Sequence, residues 1–317
     1  MRIGINGLGR IGRLALRVAV EKGINIAAVN DRNDLAQLVP LIKRDSIYGS
    51  FSVGIDGDDL VVAGMAIPMF RNQPFPDWAA LGADIVLECS GGNPEGNRAR
   101  EHLRHGAKAV IISAPAPNVN VTLVMGINEI HYDPEKHKVI SMASCTTNCV
   151  GQVLTLLAFV RKASLVSVNA YTNAQRIVDA PHADPRRARA AALNIIPTAS
   201  SADGSMKELF PDLDFEAVAY RVPVACGSVA NLCLELEKPT TEAEVKKRFL
   251  FSPWVELSME PLVSSDVIGN PHSAIVDGLL LKVDGRYVRV VAWYDNEFGF
   301  ASRLCDLAVY MSEHGLH

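Results

Sequence analysis

The chain has 317 residues, 49% of them hydrophobic, and a formal net charge of −4. That supports a large core, most economically in two domains, and excludes both a disordered chain and a generally basic nucleic-acid surface. Six cysteines occur without a zinc-type CxxC pair or the density of a disulfide scaffold. A strand pattern rather than a signal peptide opens the chain and no apolar run reaches transmembrane length, so a cytoplasmic protein with no membrane or specific nucleic-acid partner and no metal is expected.

The first predicted strand, Arg2 to Asn6, runs into Gly7-Leu8-Gly9-Arg10-Ile11-Gly12, and Leu14, Ala15 and Val18 mark one face of the helix that follows. This is the dinucleotide fingerprint in its strand, turn, helix context. Gly7 makes the tight turn, Gly9 lets a pyrophosphate approach the backbone, and Gly12 permits close packing. A second strand, Asn25 to Asn30, delivers Asp31 about twenty residues beyond the glycines, where its carboxylate accepts from a ribose 2′-OH and disfavours a 2′-phosphate. NAD is the expected cofactor, with adjacent Arg32 leaving NADP open. Interrupted short strands from Phe51 to Phe70, with Gly54, Asp56-Gly57 and Gly64, predict an antiparallel insertion.

Apolar runs Ala83 to Cys89 and Ala109 to Ile112 read as parallel strands separated by a helix over Glu95 to His105. Ser90 and Ser113 then lie at strand ends, where open parallel sheets collect ligands. Met125 to Asn128 and Lys138 to Ser141 complete the approach to Ser144-Cys145-Thr146-Thr147-Asn148-Cys149. Val150, Val153, Leu154 and Leu157 give the next helix, beginning near Asn148, its buried face. A sulfur at that N-terminus sits near unpaired N–H groups and the positive dipole end, which favours a thiolate and stabilises an oxyanion. Cys145 is therefore either a nucleophile or, as with many cysteines, a buried structural residue. Cys149, one turn on, is expected to be a packed, inert thiol.

The second half reads differently. Ser164 to Thr172, Phe215 to Pro223, Gly227 to Glu237, Gly278 to Val283 and Tyr287 to Tyr294 are partly alternating strands that suit a largely antiparallel or mixed sheet. The irregular run from Asn173 through Pro197 carries Arg176, Arg186, Arg187 and Arg189, either as a solvated loop or as an anion site or subunit contact. A helix over Ala301 to Ser312 is expected to return to the first domain. The organisation predicted is a Rossmann-type parallel-sheet domain at 1–144, a second domain on a largely antiparallel or mixed sheet at 145–300, and a C-terminal helix at 301–317.

Over nearly its whole length the sequence resembles the glyceraldehyde-3-phosphate dehydrogenase family. The resemblance is carried by Asn6 to Arg10, Ser144 to Cys149, Pro181-His182, Arg186 to Ala191, Asn194 to Pro197, Arg221-Val222-Pro223 and Trp293 to Glu297. It implies an NAD-binding first domain, a catalytic second domain, and oxidation of a phosphorylated aldehyde with NAD and inorganic phosphate through a thioester on Cys145. It also implies that Ser144, Thr146, Thr172, Arg221 and the Ser200-Ser201 pair hold phosphate groups. Asn6, Gly7, Gly9, Arg10, Ile11, Asp31, Ser90 and Ser113 would bind the cofactor, and Asn296 its nicotinamide carboxamide. The arginine-rich segment resembles the family's S-shaped loop, which packs across a subunit interface, so a homotetramer is expected.

The same resemblance points to departures. Where the family carries a catalytic histidine, Val168-Asn169-Ala170-Tyr171-Thr172 has Asn169, which can donate a hydrogen bond to an oxyanion but is no base near neutral pH. Ala174 replaces a polar residue, and Ser201-Ala202-Asp203-Gly204 replaces Gly-Ala-Ala-Lys, which weakens the anion cradle. Phe300 stands for a tyrosine and Ala180 for a leucine. Three readings follow: a slow or divergent phosphorylating aldehyde dehydrogenase; an NAD-binding homologue with little catalysis and a regulatory role; or a dehydrogenase for a related aldehyde such as erythrose 4-phosphate, or one passing the acyl group to water. Asn169 is expected to face Cys145 across a cleft.

Overall fold

Strand and helix alternate through the first half of the chain. A computed structural model describes residues 1–91, 95–157, 159–200 and 202–316. In it β1 (Arg2–Asn6), α1 (Arg10–Glu21), β2 (Asn25–Asp31), α2 (Leu35–Lys43), β3 (Arg44–Asp45) and β4 (Gly49–Ser50) come first. Then follow β5 (Val53–Asp56), β6 (Asp59–Val62), β7 (Met65–Arg71), α3 (Trp78–Leu81), β8 (Ile85–Glu88), α4 (Gly96–Arg104), β9 (Ala109–Ile112), β10 (Val121–Thr122) and β11 (Val139–Ser141). The second half holds α5 (Cys145–Leu157), β12 (Val160–Ala170), β13 (Ile196–Thr198), α6 (Ala202–Leu209), β14 (Asp214–Val222), β15 (Ser228–Leu236) and α7 (Glu242–Phe249). It closes with β16 (Val255–Ser258), β17 (Ala274–Asp277), β18 (Lys282–Asp284), β19 (Tyr287–Tyr294) and α8 (Phe298–Glu313).

Two compact units result, Met1–Ala143 with Phe300–His317, and Ser144–Gly299. The first is built on a sheet in the order β10-β11-β9-β8-β1-β2-β7-β6-β5. All its pairings are parallel from β10 to β7, and β7, β6 and β5 then form an antiparallel meander. The Phe51-to-Phe70 stretch is thus antiparallel within itself, yet its last strand runs parallel to β2 and extends the same sheet. Central strands are apolar on both faces because they are covered on both: Ile3, Ile5, Ile85, Val86, Leu87, Val110 and Ile111 are all 0% exposed. The C-terminal helix belongs here, with Asp306 paired to Lys22 at 2.6 Å and Cys305 Sγ directed at the Ala15 carbonyl at 3.6 Å.

The second unit has a mixed sheet in the order β13-β14-β12-β15-β19-β17-β16, with β18 on β19. β12 is parallel to β14, and β16 to β17; the other pairings are antiparallel. Alternation along β15 and β19 sends Ala230, Leu232, Leu234, Val288, Val290, Ala292 and Tyr294 inward against α5, with Met206 of α6 and Phe249 of α7 completing the cluster.

Two local readings need correcting. The α5 helix starts at Cys145, not near Asn148: the Ser144 Oγ accepts from the Thr147 N–H at 3.1 Å, a side-chain N-cap that begins the helix one turn earlier. Met125 to Asn128, on the approach to α5, forms a turn, because Asn128 bonds back to the Val124 N–H and the Thr122 carbonyl at 2.8 and 2.9 Å. Gly278 to Val283 is not one strand. Asp277 Oδ1 accepts from the Leu279 and Leu280 N–H groups, both at 3.1 Å, and turns the chain between β17 and β18.

Phe249 is 0% exposed and fills the space between α7 and the sheet. Phe249→Ala is expected to destabilise the second unit by about 3–5 kcal/mol, read as an earlier urea transition of that unit while the first keeps its own.

Candidate active site

In the first unit the chain leaves β1 through Gly7 with φ +94, and a Cβ there would lie 2.5 Å from the Ser90 Cα. Only glycine fits that approach. A Cβ on Gly12 would lie 1.9 Å from the Gly7 carbonyl oxygen, whereas one on Gly9 would meet nothing within 4 Å. The turn is therefore closed where it packs on protein and open at Gly9, as a pyrophosphate cradle requires. Gly9 is the N-cap of α1 and makes no side-chain cap, so Arg10 and Ile11 begin the helix at its positive end. The Arg10 side chain turns away to pair with Asp45 and lies over the Tyr48 ring, leaving its backbone as its contribution to the turn.

Asp31 is at the end of β2. Its Oδ2 accepts from the Leu8 N–H at 2.7 Å and its Oδ1 from the Asn33 N–H at 2.9 Å, which fixes the carboxylate beside the turn. Asn6 is committed inside the protein: Nδ2 donates to Glu88 at 2.5 Å and Oδ1 accepts from Asn30 at 2.6 Å. Ser90 also bonds to Glu88, and Ser113 donates its N–H and Oγ–H to the Glu88 carbonyl at 3.1 and 2.9 Å. Three of the expected cofactor residues thus meet at one residue that the motif reading passed over. Glu88 has no motif signal, only its place at a strand end.

In the second unit Cys145 is the first residue of α5 and partly buried. Burial pushes its thiol up, and the Arg221 charge and hydrogen bonds from Thr146 only partly offset this, so it stays above an ordinary cysteine. The helix start does not by itself make a neutral-pH thiolate. Cys149 is 0% exposed, and burial, then the neighbouring sulfur, hold its thiol well above the usual range.

Asn169, 4% exposed near the end of β12, lies against the residue after the cysteine. Its Oδ1 accepts from the Tyr294 hydroxyl at 2.8 Å and lies 3.5 Å from Thr146 Oγ1, and its Nδ2 donates to Ser167 Oγ at 3.1 Å. Tyr294, 1% exposed, also lies 3.0 Å from Thr146 Oγ1. Burial drives the phenol well above its usual range, so it holds its proton. Arg221 pairs in register with Asn169 across β12 and β14; its Nη1 donates to the Ala170 carbonyl at 2.8 Å, and its Nε is buried without a partner among the described residues.

Ser144, Cys145, Thr146, Asn169 and Arg221 are thus gathered together. The other expected substrate residues bond within their own loops: Thr172 to Gln175 at 2.8 Å, and Ser200 Oγ to the Ala202 N–H at 3.2 Å, while Ser201 lies outside the described residues. Asn296 Oδ1 accepts from the Gly227 N–H at 3.1 Å and the Ser228 hydroxyl at 3.0 Å, which commits its oxygen within the second unit. Tyr294 and Ser167 are site residues to which the sequence assigned no role. Tyr294 stands in a quoted motif, and the alternation of β19 puts it on the buried face.

Comparison with known proteins matches residues 1–94 to the glyceraldehyde 3-phosphate dehydrogenase NAD binding domain and residues 144–296 to the C-terminal domain of the same enzyme. The chain belongs to the glyceraldehyde-3-phosphate dehydrogenase family. It is 43% identical to the glyceraldehyde-3-phosphate dehydrogenase of Geobacillus stearothermophilus, an alignment covering 100% of this chain and 99% of the relative. Identity is 41% both to glyceraldehyde-3-phosphate dehydrogenase 1 of Streptomyces avermitilis, over 99% of each chain, and to that of Bacillus subtilis, over 100% of this chain and 99% of the relative. This family member is an NAD-dependent dehydrogenase by fold and relationship, and the open turn at Gly9 with the fixed Asp31 carboxylate fits NAD. No helix among the described residues is long and apolar enough to cross a membrane.

Because the Cys145 thiol is raised, the thiolate fraction at pH 7 is small and grows with each step of pH toward the folded-state value. Alkylation of Cys145 by iodoacetamide should still be accelerating at pH 9, measured against Cys145→Ser. A rate already level by pH 7 would show an activated thiolate.

Proposed function

We propose that the chain oxidises a phosphorylated aldehyde with NAD and inorganic phosphate through a thioester on Cys145, at a rate well below that of histidine-bearing relatives. The observation that supports this is the set of partners around Asn169. Thr146, Ser167 and Tyr294 are its hydrogen-bonding side chains, and none of them is a base at neutral pH.

The chemistry then falls to few groups. The Cys145 sulfur adds to the aldehyde carbon and its proton passes to the carbonyl oxygen, giving a thiohemiacetal. Bound NAD supplies the acceptor for the hydride that this carbon must lose. As the hydroxyl becomes the thioester carbonyl its proton goes to water, because an amide cannot take it. Phosphate then attacks the thioester, the carbon–sulfur bond breaks, and Arg221 stabilises the leaving thiolate and the incoming anion by charge. Thr146 and Ser144 supply hydroxyls at the helix start, Thr172, Ser200 and Ser201 would complete the phosphate contacts, and Asn296 would hold the carboxamide of the cofactor. A second reading, NAD binding with little turnover, is favoured by the raised thiol and by Asp203, a carboxylate in the first turn of α6 where the family resemblance implies a neutral residue.

Restoring the base separates the two readings. Asn169→His should raise kcat/KM for glyceraldehyde 3-phosphate by about 10²–10⁴-fold, and Cys145→Ser should abolish NADH formation. A parent protein with a pre-steady-state NADH burst equal to its site concentration is an enzyme with a late defect; a parent with neither burst nor recovery in Asn169→His is a binding protein.

The S-shaped-loop segment, residues 173–197, supports a homotetramer on other grounds. Arg176, Arg187 and Arg189 pin the loop to itself through the Pro181 carbonyl, Thr198 and Asp179. That ordered loop presents Ile177, Val178, Leu193 and Ile195 at 85%, 68%, 83% and 69% exposure, apolar surface better explained by a subunit contact than by water. Light scattering at micromolar concentration should give a mass four times that of the chain, and a monomer would refute the assembly.

A further inference from the structure

Glu88 ends β8 beside the glycine turn, and four donors converge on its carboxylate. Oε1 accepts from the Ser90 N–H at 2.8 Å and from the Ser90 hydroxyl; Oε2 accepts from Asn6 Nδ2 at 2.5 Å and from His102 Nε2 at 3.0 Å. Two carboxylate oxygens offer about four lone-pair sites, so its capacity is filled. Burial works to raise its pKa, yet the bonds from His102, Ser90 and Asn6 outweigh this and hold the group below the usual glutamate range.

The histidine is itself fixed. Trp78 Nε1–H can only donate, and it donates to His102 Nδ1 at 2.9 Å, so Nδ1 is the acceptor and Nε2 carries the hydrogen toward Glu88. Trp78 and His102 are both 0% exposed. On the other side, Asn6 accepts from Asn30, which also donates to the Gln73 carbonyl at 2.7 Å. Asn6 directly precedes Gly7, and Gly7 packs against Ser90. Glu88 therefore holds both banks of the turn while reaching solvent with only 14% of its side chain.

We propose that Glu88 is a positioning residue for NAD binding, whose carboxylate, oriented by the Trp78–His102 pair, holds Asn6 and Ser90 at the separation the glycine turn needs to admit a pyrophosphate. The proposal rests on NAD binding at this turn. Glu88→Gln tests it because an amide has one acceptor oxygen and one donor group. The Ser90 backbone N–H cannot accept, so the amide oxygen stays on Ser90 and the amino group faces Asn6 Nδ2 and the His102 Nε2–H, donor against donor. Trp78→Phe removes the indole N–H that fixes the tautomer, and His102 Nε2 is then free to become an acceptor for the new amide.

Titration calorimetry with NAD on the full chain should show Glu88→Gln weakened about tenfold to a hundredfold, the loss of buried hydrogen bonds to a charged group. Trp78→Phe alone should weaken binding less than about threefold, and the double variant should bind tighter than Glu88→Gln, a non-additivity expected only of coupled groups. Leu87→Ala, at a 0% exposed position on the same strand, should lower the melting temperature without this loss of affinity. Glu88→Gln within about twofold of the parent, a double variant no tighter than Glu88→Gln, or an equal loss in Leu87→Ala would each overturn the proposal. A parent that itself fails to bind NAD would overturn the reading of the turn and this proposal with it.

Discussion

A buried amide must have both ends satisfied, and the second unit is arranged around that demand at Asn169. With 4% of the residue exposed, an unpaired carbonyl or amino group there would cost about 1–3 kcal/mol. Tyr294 meets the oxygen and Ser167 the nitrogen. Tyr294 is inward because β19 alternates, and β19 alternates because its inner face packs on α5. The same packing that seats the cysteine helix therefore determines what surrounds the cysteine.

That arrangement separates two properties the site motif alone would combine. The cap at Ser144 and the charge of Arg221 favour charge at the sulfur, while burial opposes it and prevails. A helix N-terminus offers a thiolate typically 0.3–1 kcal/mol, rising to about 2 kcal/mol in partly buried geometry. Desolvation of a thiolate can exceed this, and the Arg221 charge with the Thr146 hydrogen bonds does not restore the balance. The amide also commits one hydrogen to Ser167, so its capacity to donate to an oxyanion is reduced to the other.

Much of this was legible in the sequence, and the failures have physical causes. The glycine turn and its flanking strands were readable because φ +94 at Gly7 and the close packing at Gly12 demand glycine, and a demand on residue type leaves a mark. The start of α5 falls one turn before Asn148 because the Ser144 side chain caps the Thr147 N–H, a contact that the apolar spacing of Val150 to Leu157 does not reveal. The α2 helix escaped notice because Pro40 lies inside it, although the Asp34 capping box marks its start. Glu88 and His102 were invisible for another reason. Their roles come from pairing across 14 residues of separation, and neither the strand pattern nor any motif encodes that contact. Thr172 and Ser200 carry hydroxyls in positions the resemblance singles out, and their bonds include local ones to Gln175 and to the Ala202 N–H that no sequence pattern announces.

The two units differ in how much chemistry their polar networks tolerate losing. In the first, Glu88 gathers four donors, and exchanging its charge for an amide sets donor against donor, so the fold itself resists the change. At position 169 the partners are hydroxyls, which donate or accept as needed. Ser167, Tyr294 and Thr146 can satisfy an asparagine as readily as the histidine that the family resemblance implies, and the strand keeps its register. An asparagine at position 169 is therefore compatible with the packing around β12, because hydroxyl partners adapt to whichever polar side chain they meet.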